Sequence, residues 1–165
     1  MVKKFILIDI LLLVGVVAYF VFFRTDEREL VKKQLIELAR LSSKGESEKT
    51  TTMIIKNQSL QKIFAPECEL HFGINMFDGK FSNLQLVNSI SQANMYLQSS
   101  VIKASDIEVF LIDEQNAEAD FTGEFKGRSK SGEYIEEGRA LSAKMQKIDG
   151  EWVITAITIQ KVLEK

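Results

Sequence analysis

Several residue types on which enzymes and metal sites depend are nearly absent from this chain of 165 residues. A single cysteine, Cys68, excludes an internal disulfide and any paired-cysteine redox or zinc site. A single histidine, His71, excludes sites that need two imidazoles. The 21 basic side chains do not outnumber the 23 acidic ones, so we expect no nucleic-acid partner. Phosphate-binding, dinucleotide-binding and calcium-binding loop motifs are also missing, so we expect no cofactor and no metal.

The longest apolar run lies at the N-terminus, where residues 5–23 read FILIDILLLVGVVAYFVFF with Asp9 as the only charge. A helix of this length covers about 28 Å, close to the roughly 30 Å hydrocarbon core of a bilayer. The run ends in Phe22-Phe23-Arg24, without the small residues at which signal peptides are cleaved. The sequence therefore predicts an uncleaved transmembrane helix that contacts the lipid bilayer, with a cleaved signal peptide as the alternative. The predicted anchor includes Phe5, Leu12, Gly15, Ala18 and Phe23.

The orientation of this anchor depends on basic residues, which occur on both sides of it. Long C-terminal domains are translocated largely regardless of charge. We therefore expect a single-pass membrane protein whose C-terminal domain lies outside the cytoplasm, in the periplasm if the source is bacterial.

The helical part of the domain is predicted from apolar spacing and capping residues. A connecting helix begins at Thr25-Asp26-Glu27 within residues 24–46, which end in a serine-rich linker from Ser42 to Ser47, and a second helix spans 47–64, before Pro66. Ser82 and Gln85 form a capping box that starts a third helix. The expected inner-face residues are Val31, Leu35, Leu38 and Leu41, then Met53, Leu60 and Phe64, and finally Leu86, Ile90, Ala93 and Leu97.

The hydrophobic period changes from 3.6 to 2 after Ser105, which indicates strands. Strands are predicted from residue 107 to 112, from 117 to 125, from 134 to 148 and from 152 to 162, with Gly127 and Gly132 in a loop and Asp149-Gly150 in a tight hairpin. A short extended segment at 67–72 precedes the third helix. These elements predict an α+β domain over residues 47–165, with about three helices packed on a curved antiparallel sheet.

The block DIEVFLIDEQNAEADFTGEF, followed by EGRALSAKMQKIDGEWVITAITIQKVL, resembles the C-terminal sheet of the nuclear transport factor 2-like superfamily, of the polyketide cyclase and ketosteroid isomerase type. The resemblance covers about residues 26–163. It implies a sheet curled into a cone, with helices that close one end and leave a pocket. Enzymes of this superfamily place an Asp, His or Tyr inside the cone.

Few residues of this sequence could supply that chemistry. His71 is a candidate general base because an imidazole pKa suits proton transfer near neutral pH; the alternative is a structural or surface histidine. Acidic side chains of the 117–125 strand fall on its polar face, and Cys68 is expected to be inert. The candidate pocket residues are His71, Tyr96, Phe121 and Trp152.

The sequence thus favours a membrane-anchored, non-catalytic module that contacts a partner protein or an apolar small molecule. One alternative is an accessory subunit of a larger membrane complex, in which Gly15 and Ala18 would permit close helix approach. Another is a small isomerase, dehydratase or cyclase with His71 as the base. The resemblance also implies a homodimer through the outer face of the sheet.

Overall fold

The computed structural model describes residues 26–73 and 78–162. The predicted membrane segment, residues 5–23, lies outside these ranges. No helix within them is long and apolar enough to cross a bilayer. The described chain forms helices α1 (Glu27–Ser42), α2 (Thr50–Ile63) and α3 (Asn83–Tyr96), and strands β1 (Phe64–His71), β2 (Gly79–Ser82), β3 (Leu97–Leu111), β4 (Asn116–Ser129), β5 (Tyr134–Ile148) and β6 (Glu151–Val162).

Two of the predicted helix starts are confirmed by their caps. The Asp26 carboxylate accepts a hydrogen bond from the backbone N–H of Arg28 at 3.0 Å, at the start of α1. Ser82 and Gln85 form the expected capping box at α3. The second helix is shorter than predicted, because Phe64 already has extended backbone and begins β1. The helix therefore ends at Ile63, well before Pro66.

The six strands form one curved sheet in the order β2-β1-β6-β5-β4-β3. The prediction of a wholly antiparallel sheet is wrong at one pair, since β1 runs parallel to β6. Successive strands from β3 to β6 are joined by short turns and so must be antiparallel. No such turn joins β1 to β6, because a helix and four other strands lie between them in the chain. The domain is therefore an α+β fold with a mixed sheet.

The third strand begins at Leu97, eight residues before the predicted change of period at Ser105. A bulge between Ser105 and Glu108, where Asp106 has a φ of 52°, interrupts the alternation along β3 and conceals its first half. Gly127 also lies within β4 rather than in the following loop. The β5–β6 hairpin is confirmed, with positive φ at both Asp149 and Gly150.

A polar clamp fastens the start of α1 to the β5–β6 hairpin. The Trp152 indole Nε1–H donates to Glu27 Oε2 at 2.7 Å, and Lys147 Nζ lies 2.7 Å from Glu27 Oε1. Gln34 Nε2 donates to the Trp152 carbonyl oxygen at 2.7 Å. Apolar packing continues along the same helix, where Val31 and Leu35 are fully buried. The clamp therefore sets the position of a helix whose C-terminal half forms one wall of the cavity described next.

Candidate functional site

A cavity of about 400 Å³ lies between α1, α3 and the inner face of the sheet. Its size falls within the range of roughly 300–1,000 Å³ that is usual for small-molecule sites. Alternation along each strand directs one set of side chains inward and the other outward, so that every strand contributes alternate residues to this wall. Its apolar lining is formed by Leu35, Leu38, Ala39, Phe64, Leu70, Phe72, Leu86, Ile90, Ala93, Leu97, Ile102, Ala104, Phe121, Gly123, Phe125, Leu141 and Ile157.

The floor of the cavity combines two aromatic rings with two small residues. Phe121, Gly123 and Phe125 are alternate residues of β4 and therefore share one face. Ala104 is the cross-strand partner of Gly123. A Cβ at position 123 would lie 2.7 Å from Leu141 Cδ1, so the glycine lets that leucine lie against the sheet backbone. The small side chains leave open space between the rings.

A polar corner lies where α1 and α3 end, and Ser42 and Asn94 form it. Ser42 follows Leu35, Leu38 and Ala39 on the cavity face of α1 and is only 7% exposed. The Asn94 amide Nδ2 donates to the Ser42 carbonyl oxygen at 3.2 Å. The two side chains are therefore adjacent.

Lysines bind the carbonyl groups at the back of this corner. Lys44 Nζ donates to the carbonyl oxygens of Asn94 at 2.7 Å and Leu97 at 2.6 Å, which satisfies the C-terminal end of α3. Lys56 Nζ donates to the Ser43 carbonyl oxygen at the end of α1 and pairs with Glu48. Neither lysine lines the cavity.

Ionisable side chains are almost absent from the described cavity lining. It includes no acid, no histidine and no tyrosine, and its one charged residue is Lys103. Lys103 pairs across the strands with Glu124, while its neighbours Ile102 and Ala104 face the cavity. Alternation therefore directs the Lys103 side chain to the outer face. The described walls offer hydrocarbon surface with few polar groups.

Of the four predicted pocket residues, Phe121 lines the cavity and the other three lie outside its described lining. The His71 side chain is 54% exposed, with Nε2 3.4 Å from Glu69 Oε2 on the same strand. Lys80, and then His71, lower the pKa of the Glu69 carboxyl. Tyr96 is 77% exposed at the end of α3, and Trp152 is buried in the clamp with Glu27. These three aromatic side chains are therefore separated from one another.

The single cysteine is chemically quiet. Cys68 is fully buried in β1, and burial, assisted by the nearby Glu69 charge, raises the pKa of its thiol to about 12. Because the thiolate is the nucleophilic form, this side chain is not activated for covalent chemistry.

Sequence reasoning missed most of the cavity residues. Ser42 was assigned to the linker, although it continues the spacing of Leu35 and Leu38 by four residues. Gly123 was recognised only as part of an apolar strand face, yet the spacing Phe-x-Gly-x-Phe at 121–125 already indicates a gap between two rings. Asn94 carries no local signal, since its position depends on how α3 meets α1.

Comparison with known proteins finds the fold but no close relative. No family model and no curated protein matches the chain. A nuclear transport factor 2-like protein with a cystatin-like fold from Novosphingobium aromaticivorans superposes with a TM-score of 0.63 at 12% identity, covering 90% of each chain. The chain has the nuclear transport factor 2-like fold.

Two further structures agree with this. A superfamily protein from Salmonella enterica gives a TM-score of 0.58 at 13% identity over 83% of this chain and 89% of its own. A Novosphingobium aromaticivorans protein, provisionally named a scytalone dehydratase, gives 0.65 at 12% identity over 83% and 85%. At these identities the likeness establishes the architecture, and the activity has to be argued from the cavity.

Proposed function

We propose that this protein binds a small apolar molecule in the cavity and holds it without catalysing a reaction on it. The observation that carries the proposal is the chemistry of the walls, which combine aromatic and aliphatic side chains with no acid, imidazole or phenol in the described lining. Transfer of apolar surface from water into such a site is favourable by about 25 cal/mol per Å². Binding therefore requires no group beyond those present.

A catalytic role would require a proton donor or acceptor within hydrogen-bond reach of the bound molecule. Dehydratases and isomerases occur on this fold, and His71 is the natural base in this sequence. Its imidazole is more than half exposed and lies outside the described lining. The geometry therefore favours binding over proton transfer.

The predicted anchor extends the proposal to location. Residues 5–23 end three residues before the cap of α1, and the C-terminal half of α1 forms a wall of the cavity. We propose that the anchor holds the domain at a bilayer surface, where apolar molecules concentrate. Fractionation of the host should leave the full chain in carbonate-washed membranes, and removal of residues 1–24 should release it. Release of the intact chain by carbonate would refute the anchor.

Binding can be tested with N-phenyl-1-naphthylamine, a compact aromatic probe whose fluorescence rises in apolar surroundings. The full chain is reconstituted in lipid nanodiscs, and the signal of empty nanodiscs is subtracted. We expect saturable binding of one probe per chain. The variant Ala104→Phe fills the floor beside Gly123 and should weaken binding by at least about tenfold, because the ring occupies the space of the probe.

The matched control is Ala140→Phe. Ala140 pairs with Thr122 and precedes the inward-facing Leu141, so alternation places it on the outer face of the sheet. This variant should bind the probe within about twofold of the wild-type affinity. Equal affinity in both variants, with both folded, would show that the probe does not occupy the cavity and would overturn the proposal.

A further inference from the structure

We infer that the cavity selects a neutral molecule with a hydrocarbon body and one hydroxyl group, which binds at the polar corner formed by Ser42 and Asn94. This inference rests on the proposed binding function, since it names the ligand class of the same cavity. The aliphatic body would cover the floor at Phe121 and Gly123, and the oxygen would lie between the ends of α1 and α3.

The Ser42 hydroxyl is the first group that points to a ligand. Ser42 is more than nine-tenths buried, and its hydroxyl has no hydrogen-bond partner among the described residues. Every fully enclosed polar side-chain atom in that part of the chain does have a partner. The Ser42 oxygen is therefore open to the cavity that the residue lines, where it can both donate and accept a hydrogen bond.

Asn94 supplies a complementary acceptor. Its Nδ2 donates to the Ser42 carbonyl oxygen at 3.2 Å, which fixes the amide orientation and leaves Oδ1 without a partner among the described residues. A ligand hydroxyl at this corner could donate to Asn94 Oδ1 and accept from the Ser42 hydroxyl. Both bonds then join neutral groups.

The charge around the corner argues for a neutral ligand. A buried carboxylate is costly without a cation or several donors. The Lys44 ammonium is the cation nearest to Asn94 along the contacts described above, but it lies on the backbone side, bound to the carbonyl oxygens of Asn94 and Leu97. Lys103 is directed to the outer face. A carboxylate in the cavity would therefore lack a counterion.

The remaining lining argues for a single polar group. The other serine at the cavity, Ser89, already donates to the Gln85 carbonyl oxygen at 3.0 Å. A second buried polar group on the ligand would face hydrocarbon, at a cost that reduces affinity by about fivefold or more. A mono-alcohol satisfies the corner and leaves nothing unpaired.

The test is displacement of N-phenyl-1-naphthylamine from the full chain in nanodiscs by octan-1-ol and by octanoate at pH 8. We expect Ser42→Ala to raise the half-displacing concentration of octan-1-ol by about fivefold, the value of one neutral hydrogen bond. Ser89→Ala, which removes a cavity serine whose hydroxyl is already satisfied, should change it by less than about twofold. Probe affinity itself should be unchanged in both variants.

Three results distinguish the possible failures. Equal displacement by octan-1-ol in the wild type and in Ser42→Ala, with normal probe binding, would overturn the alcohol site and leave the apolar binding function standing. Displacement by octanoate at lower concentration than octan-1-ol, abolished in Lys44→Gln, would show a carboxylate ligand and overturn the inference. Absence of probe binding to the wild type would refute the proposed function itself.

Discussion

The clamp between Glu27 and Trp152 makes a quantitative prediction about stability. Replacing Glu27 by alanine leaves the indole N–H of a tryptophan that is 2% exposed without its carboxylate acceptor. An unsatisfied buried donor costs about 1–3 kcal/mol. The ion pair with Lys147 is partly exposed and adds at most about 1 kcal/mol. We therefore expect Glu27→Ala to lower the free energy of unfolding by about 2–3 kcal/mol.

The variant Glu27→Gln separates these two contributions. Glutamine retains an oxygen that can accept the indole N–H but loses the charge, so the expected loss is about 1 kcal/mol or less. Trp152 is the only tryptophan of the chain, and its fluorescence in a urea titration of the full-length protein reports on the clamp directly.

A double-mutant cycle provides the control. In a Trp152→Phe background, followed by circular dichroism, Glu27→Ala should cost at least about 1 kcal/mol less than in the wild type, because no indole N–H is left unpaired. Equal losses for Glu27→Ala and Glu27→Gln, or the same cost of Glu27→Ala in both backgrounds, would refute the assigned hydrogen bond.

Three further predictions concern single residues. Cys68 should resist iodoacetamide at pH 8 in the folded protein and react after denaturation; its folded pKa of about 12 exceeds the ordinary value of 9.0, so the stability from its neutral thiol is kept below about pH 9 and lost as the pH rises toward 12. Labelling of the native protein at the unfolded rate would contradict this. Gly150→Ala should cost about 1–2 kcal/mol in urea titrations, because φ is +84° there; an unchanged midpoint would exclude strain in the turn. His71→Ala should leave probe affinity within about twofold, and a tenfold loss would place the imidazole in the binding site.

The parts of the fold that could be predicted from sequence are those fixed by local chemistry. The capping box at Ser82, the hairpin at Asp149-Gly150 and the alternation of β4 each depend on residues close in the chain. The parallel contact of β1 with β6 and the early start of β3 depend on residues far apart or on a bulge. Such features have no local signature.

The candidate site follows the same division. Phe121 was identified because strand alternation placed it on an apolar face. Trp152 shares that apolar character, but it packs against the first turn of α1, a contact that periodicity does not specify. Ser42 and Asn94 meet only because two helices end at one corner. A polar corner in an apolar cavity is a tertiary feature, so no pattern in the chain predicts it.

Native mass spectrometry of the full-length protein, extracted gently from its own host, tests the central claim most directly. The account predicts a stoichiometric small-molecule adduct, retained in Ala140→Phe and lost in Ala104→Phe, that releases a neutral, singly hydroxylated hydrocarbon on denaturation. A wild-type protein that carries no adduct and gains none from a lipid extract of its host would contradict the claim that this cavity is a binding site.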